Sequence, residues 1–356
     1  MSITEKGVPT SHDRGAVIPP DIYDPAVNAL RFLAIDAIDR AVSGHPGAPW
    51  TWPPSSTGSI PVTCATTRRT PPGWTAIVSG TPAATPRWRS TGLHLPGYDT
   101  TLDDIRSVRQ LGSRCAGHPE RGLLPGIEVT TGPLGQGVAN AVGMAIAERL
   151  LAQRFNRDGL DVVDHRVFAE CGDGDLMEGI SGEACSLAGH LGLGMLTLLY
   201  DNNRVSLDGP TSWTFTEDVA TRYLAYGWHV VRLFDVDDFS AIDVALAQAR
   251  RGDRAAHDHP DALPHRHRHP DPRRPPLPRR GGRTAEYAGI ARGLLEWPYE
   301  PFQIPEQVYE TWRSQVTERA ESRQRWVELF ERYRQQDRDL AAEFQRAHKM
   351  ERPSSS

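Results

Sequence analysis

The chain has 356 residues, enough for one large α/β domain or two smaller ones. Its 40 basic and 45 acidic residues leave a net charge of −5, which argues against a polyanion-binding surface, so nucleic acid is not an expected partner. Cys64, Cys115, Cys171 and Cys185 form no CxxC pair, which excludes a disulfide framework or a structural zinc site. With no run of about 18 apolar residues, a soluble, cytoplasmic protein without membrane contact is expected.

In chain order, residues 1–22 read as a disordered lead. A helix is predicted from Asp24, with Asp24 as its cap and Pro25 in its first turn. Leu30, Leu33, Ala34, Ala37, Ile38 and Ala41 share one face, and Ser43-Gly44 ends the helix. The loop Ser43-Gly44-His45-Pro46-Gly47-Ala48-Pro49 then presents a single imidazole on a backbone stiffened by proline. Residues 51–90 hold nine threonines and seven prolines but no Asp, Glu, Lys, Leu, Phe or Tyr, and neither helical nor strand periodicity survives there.

A patterned sequence resumes near Gly92. An amphipathic helix is predicted over Leu102 to Gln110, followed by Gly117-His118-Pro119-Glu120. Thr130-Thr131-Gly132-Pro133-Leu134-Gly135-Gln136-Gly137 is a glycine-rich loop opening a helix over Val138 to Phe155; from residue type alone it is either an ordinary tight loop or a phosphate cradle.

The most informative stretch runs from Arg166 to Gly209. It reads as a strand (Val167-Phe168-Ala169), a turn Gly172-Asp173-Gly174, a helix, a second strand (Leu196 to Tyr200) and a turn Asp201-Asn202-Asn203. A strand-helix-strand unit of this length is a right-handed crossover between parallel neighbours, so both turns emerge at one carboxyl edge and Asp173 faces Asn203, 30 residues on. A carboxylate and an amide oxygen meeting beside a helix N-terminus are suited to magnesium with a phosphorylated ligand.

Trp228 to Phe234 reads as another strand, and Asp237 to Arg250 as its helix, with Asp237 or Asp238 as cap. Alternating strands and helices argue for a doubly wound parallel sheet with helices on both faces. Residues 254–283 break the pattern, with five histidines, seven prolines and no β-branched residue; interspersed prolines prevent a metal cage there. From Pro305 to Ala347, Val308, Trp312, Val316, Trp326, Leu329, Phe330, Tyr333, Leu340 and Phe344 mark amphipathic helices that pack on the core.

Three segments together, Gly172-Asp173-Gly174-Asp175-Leu176-Met177-Glu178-Gly179, Glu183 to His190 and Tyr200-Asp201-Asn202-Asn203, resemble the transketolase family. The resemblance is specific over 91–252, good over 24–49 and from 294 onward, and implies a thiamine diphosphate-binding α/β domain over 23–300 followed by a helical linker and tail over 301–356. It implies thiamine diphosphate and Mg2+ as cofactors, and transfer of a two-carbon ketol unit from a ketose phosphate to an aldose phosphate. Implied metal ligands are the Asp173 carboxylate, the Asn203 amide oxygen and the Val205 carbonyl; Gly174 gives a backbone contact to the diphosphate, and Gly132, Pro133 and Leu134 lie along the cofactor rings. His45 and His118 are the implied catalytic histidines of the substrate channel, and Glu178 and Glu183 match acidic positions near a dimer interface or serve as plain surface charge.

Two diphosphate-contacting histidines of that family have no counterpart in 51–90 or 254–283. Both windows begin and end sharply, which is the pattern of two compensated reading-frame shifts. The chain is about half of what a transketolase needs, so sugar phosphates as substrates imply either a homodimer or a separate C-terminal subunit as partner. A lone chain is expected to be inactive. Three readings stand: the N-terminal half of a split transketolase, a non-catalytic remnant, or a magnesium-phosphate binding module.

Overall fold

The computed structural model describes residues 20–44, 76–79, 91–127, 129–206, 209–233, 238–251, 261–266 and 284–348. Within them, five parallel strands form one sheet: β1 (Ala76–Ser79), β2 (Val167–Gly172), β3 (Leu196–Asn202), β6 (His229–Val230) and β7 (Asp261–Arg266), in spatial order β1-β2-β3-β7-β6. The two remaining strands, β4 (Val205–Ser206) and β5 (Gly209–Pro210), make a small antiparallel hairpin beyond β3.

β2 and β3 are the strands the sequence marks most clearly, and their alternation sorts their side chains to two sides. Val167, Ala169 and Cys171 of β2, with Leu196, Leu198 and Tyr200 of β3, join an apolar cluster with α3 (Gln136–Phe155) and α5 (Gly179–Leu191). Phe168 and Leu199, of opposite parity, pack with Ile242, Ala245 and Leu246 of α7 (Phe239–Arg251). Burial on both sides explains why these strands are almost continuously apolar.

α1 (Pro20–Ala41) starts four residues ahead of the expected Asp24 cap and carries Pro25 inside it. Pro25 forfeits one helical hydrogen bond and strains the preceding turn, a cost of about 3 kcal/mol or more in a helix interior. An unusually buried helix offsets it: Leu30, Leu33, Ala34, Ala37 and Ile38 are at most 1% exposed. The predicted stop is where expected, since the helix ends at Ala41 and Val42 turns left-handed at φ 48°. Asp36 braces α1 from the other end of the chain, accepting hydrogen bonds from Arg292 (2.5 Å) and from the Phe302 N–H (2.9 Å). Arg292 belongs to α8 (Thr284–Leu294) and also stacks over Phe32, 5.0 Å from its ring centre.

Other expectations shift in extent. The 102–110 helix is a single turn, α2 (Leu102–Arg106), held by a reciprocal cap in which Thr101 Oγ1 accepts from Asp104 N while Asp104 accepts from Thr101 N. Arg109, at φ 62°, sits outside helical geometry. The predicted strand over Trp228 to Phe234 is only two residues long as β6. Of the two candidate caps for α7, Asp238 is used, accepting from Ala241 N at 3.0 Å.

Although no strand periodicity is legible in 51–90 and the pattern breaks over 254–283, β1 and β7 lie in those windows. Their place is set by the backbone ladder of their neighbours: β1 pairs with β2 over four residues and β7 with β3 over six. Along the C-terminal segment, the helices arrive as predicted, α9 (Glu306–Gln336) and α10 (Arg338–His348). Trp312 and Tyr333 of α9 are both fully buried, the first against α1 and the second against Phe155 and Leu160. Residues 1–19 of the expected disordered lead lie outside the described residues.

Candidate functional site

Gly172, the last residue of β2, pairs with Asp201 of β3, so the turns that follow the two strands leave the sheet side by side. α4 (Asp173–Met177) begins at Asp173 itself, directly from the strand. Asp173 is 3% exposed and each of its carboxylate oxygens accepts a hydrogen bond, Oδ1 from the Tyr200 hydroxyl at 2.6 Å and Oδ2 from the Arg204 N–H at 3.0 Å. Arg204 holds φ 60°, a left-handed conformation uncommon for a side chain of its size, and this aims its amide across the turn at Asp173.

Asn203 closes the second turn on itself: its Oδ1 accepts from Val205 N at 3.0 Å and its Nδ2 donates to Asp201 Oδ2 at 2.9 Å. Val205 is held in the β4–β5 hairpin, where Thr211 N donates to Arg204 O at 2.9 Å. The Trp213 ring lies flat enough on Gly209 that a β-carbon there would come within 2.5 Å of it.

Burial pushes the Asp173 carboxyl up to about 6, with the like charge of Asp201 adding to the rise and the Tyr200 hydrogen bond opposing it. The neighbouring Asp201 charge and burial together make an ionised Asp173 costly at this edge. The donors there, a carboxylate, an amide oxygen and a peptide carbonyl, are hard oxygen groups of the kind that would suit magnesium. The predicted ligand set contains one carboxylate only, and among the described residues no group of three His, Cys, Asp or Glu side chains is placed to hold a metal unaided.

The glycine-rich loop comes to the same edge. A β-carbon on Gly174 would stand 3.4 Å from Leu134 and 3.5 Å from Ser206 Oγ, so Leu134, Gly174 and the hairpin wall one narrow groove. Gly132 is buried beneath His118, whose Nδ1 would lie 2.9 Å from a β-carbon there, while Pro133 is exposed. The structure thus brings together His118, Gly132, Leu134, Asp173, Gly174, Asn203 and Val205. His45 lies outside the described residues, but Ser43, two residues before it, accepts a 2.5 Å hydrogen bond from Arg109, whose side chain also covers Gly117 beside His118. Glu178 and Glu183 are exposed.

Sequence reasoning missed Tyr200, Arg204 and Asp175 as supports. Asp175 is fully buried, and burial pushes its carboxyl up to about 7 against two backbone hydrogen bonds. A buried acid three residues after a strand-ending glycine has the spacing of a helix-capping acid, a legible signal for its bond to Gly172 N but not for its bond to Gly135.

Comparison with known proteins agrees with this geometry. The family described as "Transketolase, thiamine diphosphate binding domain" matches residues 22–263 and 283–353. Transketolase from Halalkalibacterium halodurans is 40% identical over 361 residues, covering 90% of this chain and 48% of that protein; transketolase 1 of Escherichia coli is 41% identical over 353 residues, covering 92% and 49%. Among solved structures, transketolase from Leishmania mexicana superposes with a TM-score of 0.80 at 33% identity, over 94% of this chain and 50% of that one. The chain spans about half the length of the curated relatives it matches. With the family match running through Gly132, Asp173 and Asn203, the chain belongs to the transketolase family and carries its thiamine diphosphate binding domain.

Proposed function

We propose that this chain provides the diphosphate-and-magnesium half of a transketolase site, in a doubly wound, cytoplasmic domain with helices on both sheet faces. The observation that carries the reading is the meeting of the Asp173-Gly174 turn, the Asn203–Val205 turn and Leu134 at the carboxyl edge of β2 and β3. Asp173, Asn203 and the Val205 carbonyl hold Mg2+; Gly174 lets the diphosphate approach backbone; Gly132, Pro133 and Leu134 line the ring portion. Thiamine diphosphate, when bound, supplies the carbon nucleophile and electron sink for moving a two-carbon ketol unit between sugar phosphates. His45 and His118 hydrogen-bond substrate hydroxyls and move protons, work suited to imidazole near neutral pH.

The partner is a second copy of the chain or a separate C-terminal subunit, with Glu178 and Glu183 on the surface toward it. A lone chain binds cofactor without turnover. Thermal denaturation of the purified chain tests the reading: saturation to 100 times Kd with thiamine diphosphate and Mg2+ stabilises by about 2.7 kcal/mol. Asp173→Ala abolishes the magnesium-dependent part, and a shift that persists in that variant disproves the metal assignment. Co-expression with a C-terminal transketolase half, followed by a ketol-transfer assay, separates an active half from a non-catalytic remnant or a plain magnesium-phosphate module.

Windows 51–90 and 254–283 fit compensated reading-frame shifts. For the second window, the family match omits 264–282, and β7 places Pro264 opposite Tyr200 in the interior of the sheet, where proline is rarely found; for the first, which the family match runs through, the support is composition. The nucleotide sequence across both windows tests this, and the absence of a family-like product in either other frame overturns it.

A further inference from the structure

The glycine-rich loop and the Asp173-Gly174 turn are far apart in sequence yet wall the same groove, and a single buried carboxylate joins them. Asp175 Oδ1 accepts the Gly135 N–H at 3.0 Å, and its Oδ2 accepts the Gly172 N–H at 2.9 Å. Its own carbonyl accepts the Ser181 hydroxyl at 2.6 Å, which fixes α4 to the start of α5. The loop is also pressed against that junction. Gly135 holds φ +75°, and a β-carbon there would come within 2.9 Å of Glu178 Cβ, Ile180 Cγ2 and Ser181 Oγ. Leu134, next to Gly135, and Asp173, next to Gly172, are therefore set at a separation that Asp175 determines.

We propose that Asp175 is a positioning residue that sets the distance between the ring-binding and diphosphate-binding parts of the site. The claim rests on the thiamine diphosphate reading above. It concerns a molecule long enough to touch both parts, a ring system at one end and a magnesium diphosphate at the other. Asp175 itself touches neither.

That distinction supplies the experiment. The purified 356-residue chain, wild type and Asp175→Asn, is titrated calorimetrically with thiamine diphosphate and, separately, with inorganic diphosphate, both with Mg2+. Asparagine keeps one acceptor oxygen and turns an amide NH2 toward the other N–H, so one of the two ties breaks. Supporting partners of a bound group typically contribute a factor of about 10 or more in affinity, and a tenfold weakening is expected for thiamine diphosphate. Inorganic diphosphate, which reaches only the Asp173 turn, keeps its wild-type affinity. Equal weakening of both ligands, or of neither, overturns the positioning role. Gly135→Ala moves the same tie from the loop side and is read by the same pair of ligands should Asp175→Asn fail to fold. Wild-type chain that binds inorganic diphosphate but not thiamine diphosphate removes the functional reading, and the positioning role with it.

Discussion

Glu148 lies on α3, 5% exposed, and is a buried acid outside the candidate site whose protonation the fold perturbs. Burial raises its carboxyl to about 7, the nearby charge of Asp164 adds to the rise, and Arg166 and Arg149 oppose it. The unfolded chain holds this group near the ordinary glutamate value of about 4.3. Between those values the folded state binds more protons than the unfolded state, so stability falls as pH rises through this window and the full penalty stands above about pH 7. At roughly 1.4 kcal/mol per pH unit of displacement, the penalty is about 4 kcal/mol. Glu148→Gln removes it while keeping shape and hydrogen-bonding capacity. Thermal denaturation at pH 5 and pH 8 is the assay: the variant gains at pH 8, by about 8 °C at some 2 °C per kcal/mol, and gains little at pH 5. His165, lowered to about 4 by burial, favours folding in the opposite direction over part of this range, but it is present in both proteins and cancels in their difference. Equal stability of the two proteins at pH 8 refutes the reasoning.

Two further outcomes test packing and pairing. Gly189, inside α5, has no room for a side chain, because a β-carbon would stand 2.9 Å from the Tyr226 carbonyl carbon and closer still to its oxygen. Gly189→Ala therefore destabilises by about 2 kcal/mol despite the helix propensity of alanine, whereas Gly143→Ala on α3, with nothing within 4 Å, stabilises by about 1 kcal/mol; urea midpoints that move in the same direction contradict the packing. Pro264→Val in β7 restores a backbone donor opposite Tyr200 of β3 and raises the urea midpoint by the equivalent of about 1 kcal/mol; an unchanged or lowered midpoint counts against the register that sets Pro264 opposite Tyr200.

What was legible in the sequence was what neighbouring residues decide. The apolar runs at Val167 and Leu196 announced β2 and β3, and the crossover between them placed Asp173 beside the Asn203 turn, whereas the single apolar face read on α1 understated its burial, since Asn28, Arg31 and Asp36 are buried along with it. Asp238 was one of two plausible caps, and only geometry chose it. What stayed hidden depends on partners remote in the chain. Asp175 meets Gly135 across 40 residues, and Asp36 meets Arg292 across 256, and neither acid differs locally from a surface carboxylate. β1 and β7 were invisible for a different reason, since their own residues carry no strand pattern and only the ladders offered by β2 and β3 order them.

The same division bears on what this chain can do. Every described member of the apolar cluster beneath the candidate site falls between Val138 and Trp228, in the part of the chain whose pattern is unbroken. Asp173, Gly174, Asn203 and Val205 all follow β2 or β3, and the ties that hold them come from Tyr200, Arg204, Gly172 and Asp201, within the same stretch. The aberrant windows instead supply the strands on either side, β1 beyond β2 and β7 beyond β3. Loss of pairing there costs stability to the sheet and takes the β7 ladder from Tyr200, Asp201 and Asn202, but the side-chain hydrogen bonds described at Asp173 and Asn203 come from outside those windows. On the proposed reading, cofactor binding draws on an edge built from residues 132–205 and lacks the two diphosphate-contacting histidines that have no counterpart here, while turnover draws in addition on His45 and a partner subunit. A stabilising response to thiamine diphosphate and Mg2+ in a chain that performs no ketol transfer is the behaviour the proposed function predicts.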